Sequence, residues 1–407
     1  MVENIYVVRQ PVIDSNKQLL AYRLTFRDSM IVNSIVKTPQ EYGRMVLNVL
    51  STEPFSTFSP QKPAFLKIDP EFFSDEFSTA FPTEVIFEID AQQFNDEVQQ
   101  QCQQLKQRGH KLALENIDFP TILPTWQGLF DYVKIDTYLY DDNDLKKIAL
   151  IFGKLGIQTV AERVNTMEEF QQLSSYGFGS FQGSFMFEPV VLKGKALNPA
   201  KASILELLNL LDKNSPVDPI EAIFKRHVDL SFKLLSLINS AAFSLKTTIS
   251  SIRQAITLLG YGAIKKWASV LLFASGSNDL RSDPFFEMIT IRALRMEKIA
   301  SSVNYFDTIS DRAYFAGMIS GFDVLLETTM TEIIDAMRLD DIFKGALIEH
   351  TNPLGELLLV ARALEEDNLP LLTEYAQKIG TTLEHLMGTS SDAIHAFDQS
   401  RESYNLA

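Results

Sequence analysis

The stretch YVKIDTYLYDDNDLKKIALIFGKLGIQTVAE, residues 132–162, reads as one complete strand–helix–strand unit. Tyr132 to Ile135 is an apolar run of strand length, Asp142 to Leu155 repeats apolar residues at helical spacing, and Ile157 to Ala161 is a second apolar run. Gly156 stops the helix, because a residue that takes positive φ at no steric cost suits the position just past a helix end. Units of this length predict parallel strands joined by helical crossovers.

The same pattern extends in both directions. Upstream, Lys111 to Glu115, Val85 to Ile89, Ala64 to Ile68, Leu19 to Phe26 and Ile5 to Ile13 are strands, the last two joined by the polar turn Asp14 to Lys17. Asp96 to Arg108 is a helix ended by Gly109, and Thr38, Pro39 and Glu41 supply a cap, a first-turn proline and a capping-box glutamate for a helix to about Leu50. Downstream, Met167 to Ser175 is a helix stopped by Gly177, and a last strand leads to Gln182. So many alternating units predict closure into an α/β barrel of the TIM type. Seven of the strands carry a polar or charged residue at or near the C-terminal end: Arg23, Lys67, Glu88, Glu115, Lys134, Glu162 and Gln182. In a βα barrel those ends form the mouth, where active sites are built.

After Pro189 the pattern becomes helical almost throughout. Asn198 and Pro199 open a helix through Leu211; Leu230, Leu234, Leu235 and Ile238 form one apolar stripe; Ser251 and Gln254 form a capping box for Ile252 to Leu259, which Gly260 closes. The expected division is a barrel over residues 1–192, an all-α domain over 196–390 and a polar, fraying tail over 391–407.

Composition bounds what the chain does. A formal net charge of −15 argues against general nucleic-acid binding, since phosphate backbones demand a basic surface. The single cysteine, Cys102, excludes an intrachain disulfide and fits a reducing, cytoplasmic setting. No apolar run approaches the roughly 20 residues that span a bilayer, so no membrane association is expected. No G-x-S-x-G elbow and no phosphate-binding G-x-x-x-x-G-K-[ST] loop is present.

Several motifs in register carry a family resemblance. Arg23-Leu24-Thr25-Phe26-Arg27, Phe87-Glu88-Ile89-Asp90, Leu114-Glu115-Asn116, Val133-Lys134-Ile135-Asp136, Val160-Ala161-Glu162-Arg163-Val164 and Gln182-Gly183-Ser184-Phe185-Met186-Phe187-Glu188-Pro189 resemble, in order and spacing, the EAL domains, which are cyclic di-GMP phosphodiesterases. Asp229-Leu230-Ser231 through Leu237-Ile238-Asn239-Ser240-Ala241, with Ser251-Ile252-Arg253-Gln254-Ala255-Ile256 and Leu259-Gly260, resembles an HDOD domain. Together they are similar to the two-domain EAL–HDOD signalling proteins of bacteria.

The resemblance implies a site in which carboxylates and an Asn hold two divalent cations. Here the glutamate that names the family falls at Arg23 and the metal-binding Asn at Lys67; the Asp-Asp pair is Glu115-Asn116, and a further glutamate is Asn165. Glu88, Lys134, Glu162, Gln182 and Arg27 are retained, the last implied to contact substrate phosphate. Two added cations oppose metal binding, because unit charges about 4 Å apart interact by roughly 4 kcal/mol at an effective dielectric near 20. The expectation is therefore a vestigial site without metal or cofactor, and a chain that is not an enzyme. Glu88, Glu115 and Glu162 would pair with Arg23, Lys67 and Lys134 as a closed ion network, and the chain would serve as a signalling adaptor. The alternative is a metal-independent cyclic di-GMP receptor binding through Arg23, Arg27, Lys67 and Gln182; an active phosphodiesterase would require unorthodox metal ligation.

The helical half invites the same reading. Where catalytic HD hydrolases carry a His-Asp metal pair, this sequence has Ser320 and Gly321, and none of His110, His227, His350, His385 and His395 is followed by Asp. The domain is expected to act by contact with protein partners, and a homo-oligomer stays open.

Overall fold

A four-residue reversal decides the topology of the barrel. The side chain of Asp14 accepts hydrogen bonds from the backbone N–H groups of Asn16 and Gln18, both at 2.8 Å, while Lys17 takes a left-handed φ of 62°. A turn this tight leaves no room for a crossover helix, so the second strand returns antiparallel. In the computed structural model, which describes residues 5–28, 43, 46, 49, 55–70, 81–119, 128–187, 199–238, 249, 251–274, 283–326, 328–337 and 339–400, eight strands close a barrel in chain order. They are β1 (Ile5–Asp14), β2 (Leu19–Asp28), β3 (Ala64–Lys67), β4 (Val85–Asp90), β5 (Lys111–Glu115), β6 (Tyr132–Asp136), β7 (Gln158–Glu162) and β8 (Ser180–Phe181). β1 is antiparallel to β2 and β8, and the remaining pairs are parallel.

Helices α1 (Asp96–Gln107), α2 (Asp142–Lys154) and α3 (Met167–Tyr176) lie between strands. Asn95, Asp141 and Thr166 cap their starts, Thr166 with Glu169 in a reciprocal capping box. Gly109, Gly156 and Gly177 lie just past their ends at positive φ. Most of the helix expected from Thr38 to Leu50 lies outside the described residues.

Val12, Ala21, Phe65, Ile86, Ala113 and Val160 form an apolar floor inside the barrel, with Tyr132 packed against it. Strand side chains alternate, so the next inward position toward the mouth is two residues away along each strand. Those positions are Gln10, Arg23, Lys67, Glu88, Glu115, Lys134 and Glu162, and Gln182 stands two residues past Ser180. Every strand thus places one polar side chain in a single layer above the floor.

The chain groups into two compact units, Met1–Glu188 with Ala363–Ser391, and Pro189–Arg362 with Asp392–Ala407. Periodicity assigns residues 363–391 to the helical domain; the structure groups them with the barrel. The expected fraying after residue 390 is also corrected. A helix runs from Leu383 to Ser400 and buries Ala393, Ile394 and Phe397, apolar residues at helical spacing that the polar average of the tail conceals.

The second unit is helical. Helix Ile252–Ala274 continues past Gly260, whose φ of 74° makes a kink rather than the expected end. By length and composition alone this helix could cross a membrane, which corrects the expectation drawn from unbroken apolar runs. It buries Ile264, Ala268, Leu271 and Leu272 and pairs Lys265 with Asp212 and Lys266 with Glu297, which reads as a core helix. Helix Pro284–Ser302 meets helix Ser310–Ile319 at close range: a Cβ on Gly317 would lie 2.5 Å from Ala293 Cα, and one on Gly321 would lie 2.5 Å from Ile289 Cδ1.

That approach sets a stability test. Gly317→Ala must push one backbone away from another and is expected to destabilise the chain by about 1–3 kcal/mol in denaturant unfolding. Gly262→Ala, at a helical position whose added Cβ meets nothing within 4 Å, is expected to stabilise by up to about 1 kcal/mol. Equal effects of the two substitutions would refute the close packing.

Candidate functional site

The polar layer at the barrel mouth is a ring of charges that balance. Lys134 sits at its centre with a side chain of 0% exposure, its Nζ 2.5 Å from Glu88 Oε1 and 2.7 Å from Glu162 Oε1. The Phe65 ring lies beneath, its centroid 5.7 Å from the ammonium. Arg23 Nε is 3.7 Å from Glu88 Oε2, and a terminal nitrogen of the same guanidinium is 3.9 Å from Glu162 Oε1. Lys67 Nζ pairs with Glu115 Oε1 and lies 3.6 Å from Asp90 Oδ2, which also accepts a 2.7 Å hydrogen bond from Asn116 Nδ2. Gln182 Nε2 donates to Gln10 Oε1 at 2.7 Å. Lys67, Arg23 and Lys134 face Glu88, Glu115 and Glu162, so these six ring charges balance, and Asp90 beside Lys67 adds one negative charge at the edge.

Burial and pairing pull the titrations apart. Burial pushes Glu88 up, but the charges of Lys134 and Arg23 outweigh it and hold the carboxyl below its ordinary range. Glu115 is pushed above the ordinary range by burial and by the negative field of Glu88, which Lys134 and Lys67 only partly offset. Burial works against the charge of Arg23 and of Lys67, yet both are held above their ordinary values, Arg23 by Glu88 and Glu162 and Lys67 by Glu115. Two buried acceptors of the ring, Glu88 Oε2 and Gln182 Oε1, have no hydrogen-bond partner among the described residues.

The sequence-predicted residues divide into ring and rim. Arg23, Lys67, Glu88, Glu115, Lys134, Glu162 and Gln182 meet in the ring, and Asn116, at a left-handed φ of 53°, joins through Asp90. Asn165 stands on the rim instead: it donates to Tyr138 Oη at 3.2 Å and accepts from Ser184 Oγ at 3.0 Å. The side chain of Arg27 lies outside the described residues. Sequence reasoning misses Gln10 and Asp90. Gln10 lies on the antiparallel strand, whose mouth-facing portion precedes its C-terminal end; the tight turn after Asp14 is the signal that could find it. Asp90 lies two residues beyond Glu88 on the same face of β4.

Two divalent cations do not fit the ring in this arrangement. Each of its carboxylates already faces an ammonium or a guanidinium, and no group of three or more His, Cys, Asp or Glu among the described residues is placed to hold a metal ion.

In the helical unit, Ser320 is buried, accepts from Arg292 Nη1 at 3.0 Å and donates to the Gly317 carbonyl at 2.7 Å. Arg292, 1% exposed, thus sets a buried cation against the Ser320 hydroxyl. Among the histidines, His227 Nε2 bonds Ser203 Oγ at 2.8 Å, and His350 Nδ1 bonds the Ala346 carbonyl at 2.7 Å. Nearby, burial pushes the Asp323 carboxyl from 3.8 up to about 6, against the pull of Arg362 and Arg292.

A folded-state value raised this way means that the folded chain holds the Asp323 proton more tightly than the unfolded chain. The group therefore favours folding below about pH 4, and that contribution is lost as pH rises through about 6. Asp323→Asn is expected to stabilise the chain at pH 7.5, by at most about 3 kcal/mol at 1.36 kcal/mol per pKa unit, and to leave it unchanged at pH 4. An equal gain at both pH values in thermal unfolding would contradict this assignment.

Comparison with known proteins agrees with this architecture. The EAL domain family matches residues 66–189 and the HDOD domain family residues 197–341. An uncharacterized Bacillus subtilis protein, YuxH, is 29% identical over 387 residues, covering 92% of this chain and 94% of its own. A Vibrio cholerae protein named cyclic di-GMP phosphodiesterase CdgJ is 27% identical over 390 residues, covering 93% of this chain and 89% of its own. The solved EAL domain of Mycobacterium smegmatis DcpA is 18% identical, with a TM-score of 0.36 over 44% of this chain and 90% of that one. The Vibrio relative overturns the expectation that the chain is not an enzyme. Physically, that expectation weighs the replaced ligands alone, whereas Glu88, Glu115 and Glu162 all remain in the ring and Lys67 keeps half of its side chain in solvent. The chain thus joins a region of the EAL domain family to a region of the HDOD domain family, and is similar over nearly its whole length to a protein named as a cyclic di-GMP phosphodiesterase.

Proposed function

We propose that the chain is a cyclic di-GMP-responsive signalling protein whose barrel mouth takes the phosphates of the dinucleotide on Lys67 and Arg23. The observation that carries this reading is the position of those two cations: their side chains are 50% and 31% exposed, while Lys134 is sealed beneath them. Both hold their charge firmly. Glu115, with its raised pKa, is neutralised more readily than Glu88, and its protonation releases Lys67 to an incoming phosphate. Binding of this kind needs no divalent cation. The helical unit, with Ser320 and Gly321 packed where a hydrolase would carry its metal pair, passes the change on by contact with a protein partner. A cytoplasmic setting suits the buried thiol of Cys102, pushed up to about 12 by burial and thus held unreactive.

The test is calorimetric titration of the full chain with cyclic di-GMP in EDTA and again with Mg²⁺ or Mn²⁺. Saturable binding in EDTA is expected. Lys67→Ala should weaken it at least about fivefold, since a charge-assisted contact is worth roughly 1.5–3 kcal/mol before solvent screening. Affinity that emerges only with added divalent cation would contradict the reading.

The name of the Vibrio relative favours a second reading, hydrolysis of the same dinucleotide. It is decided in the same samples by the release of linear dinucleotide, which under that reading disappears in Glu88→Gln.

A further inference from the structure

Residues 363–391 come after the HDOD match in sequence, yet they group with the barrel. Their entry point touches the polar ring. Gln10, which accepts from Gln182 in the ring, donates its Nε2 to the backbone carbonyl of Glu365 at 3.0 Å. Gln10 is also directly opposite Arg23 in the β1–β2 register, and opposed residues of an antiparallel pair share a face at close range. The main chain at residue 365 is therefore bonded to the side chain of the residue that faces Arg23 across the β1–β2 pair.

Beyond residue 365 the chain makes an acidic turn of fixed shape. Helix Pro353–Glu365 ends, Glu366 and Asp367 form the turn, and helix Leu369–Lys378 begins. Asn368 N–H donates to the Ala363 carbonyl at 3.0 Å, and its side chain caps the next helix by accepting from Leu371 N–H at 3.2 Å. Asp367 takes a φ of 56°, a conformation that Asp tolerates better than most residues. Further along, Tyr6 on β1 donates from its hydroxyl to Glu384 Oε1 at 3.2 Å, and its buried ring lies 3.4 Å from where a Cβ on Gly388 would stand. The segment is thus fastened to β1 at both ends. The mouth side of β1 is its N-terminal half, because β1 runs opposite to the parallel strands.

We infer that the acidic turn at residues 365–367 is a resident competitor for the cationic side of the ring, a built-in anion that incoming phosphates displace. Asp367 already contributes to the field that keeps Arg23 charged, as a bound phosphate would. The six ring charges balance without the turn, so the added negative charge screens Arg23 from anionic ligands until the segment shifts. The recognition site is then composite: six barrel strands and the β1–β2 hairpin supply the ring, and a segment beyond the HDOD match sets the affinity with which the ring takes an anion.

This inference rests on the proposed binding of cyclic di-GMP at the mouth. Its test compares the affinity of the full-length wild type with that of Asp367→Asn, which keeps the side-chain shape and the left-handed backbone, at low and at high salt. Asp367→Asn is expected to bind cyclic di-GMP about two- to fivefold more tightly at low salt, with the gain shrinking as salt screens the pair. Tyr6→Phe, which releases the segment without touching the ring, should shift affinity in the same direction. Wild-type binding that neither variant tightens overturns the competitor and leaves the binding reading intact. Failure of wild type and both variants to bind overturns both.

Discussion

A fully buried ammonium is the constraint on which the mouth of this barrel depends. Lys134 has no solvent to hold its charge, so the fold must supply carboxylates, and it supplies Glu88 from β4 and Glu162 from β7 at hydrogen-bonding distance. Those two strands are within reach of β6 only if the barrel closes in the observed order and register. A slip of one residue in any strand would send its ring member outward and an apolar residue inward. The apolar floor and the polar ring are thus one device: alternation along each strand makes the floor, and the next inward residue makes the ring.

Balance within the ring explains which side chains are left for chemistry. Lys134 is committed to Glu88 and Glu162, whereas Arg23 and Lys67 reach solvent and hold their acidic partners at the edge of the layer. Among the described residues, one oxygen of Glu88 and one of Gln182 lack a hydrogen-bond partner. A mouth built this way offers exposed cations over buried acceptors. In the helical unit a buried cation is likewise held by a fixed partner, Arg292 by the Ser320 hydroxyl, beside the close packing at Gly317 and Gly321.

Much of this is legible in the sequence because strands of a barrel announce their ends. Short apolar runs closed by one polar residue locate seven ring members, and the glycines after α1, α2 and α3 mark the helix ends. Gln10 is not legible by that rule, since an antiparallel strand presents its earlier residues to the mouth. Asn165 comes soon after β7 in sequence, but its amide turns to Tyr138 and Ser184 on the rim. Residues 363–391 read as more of the same helical pattern; periodicity reports that a face is buried and says nothing of which unit buries it. The expectation of no enzyme fails for a different reason, because it is drawn from four replaced positions, and the Vibrio relative, aligned over most of the chain, carries a phosphodiesterase name.

The most direct measurement is a double-mutant cycle on the buried pair, read by denaturant unfolding. Lys134→Met alone leaves the buried Glu88 and Glu162 with only the longer-range charge of Arg23, at 3.7 and 3.9 Å, and should cost about 3–5 kcal/mol. Glu88→Gln alone should also be costly, and the double variant, with the charge and its principal partner both removed, should recover most of the stability. Losses that simply add in the double variant would contradict the claim that this pair holds the ring together.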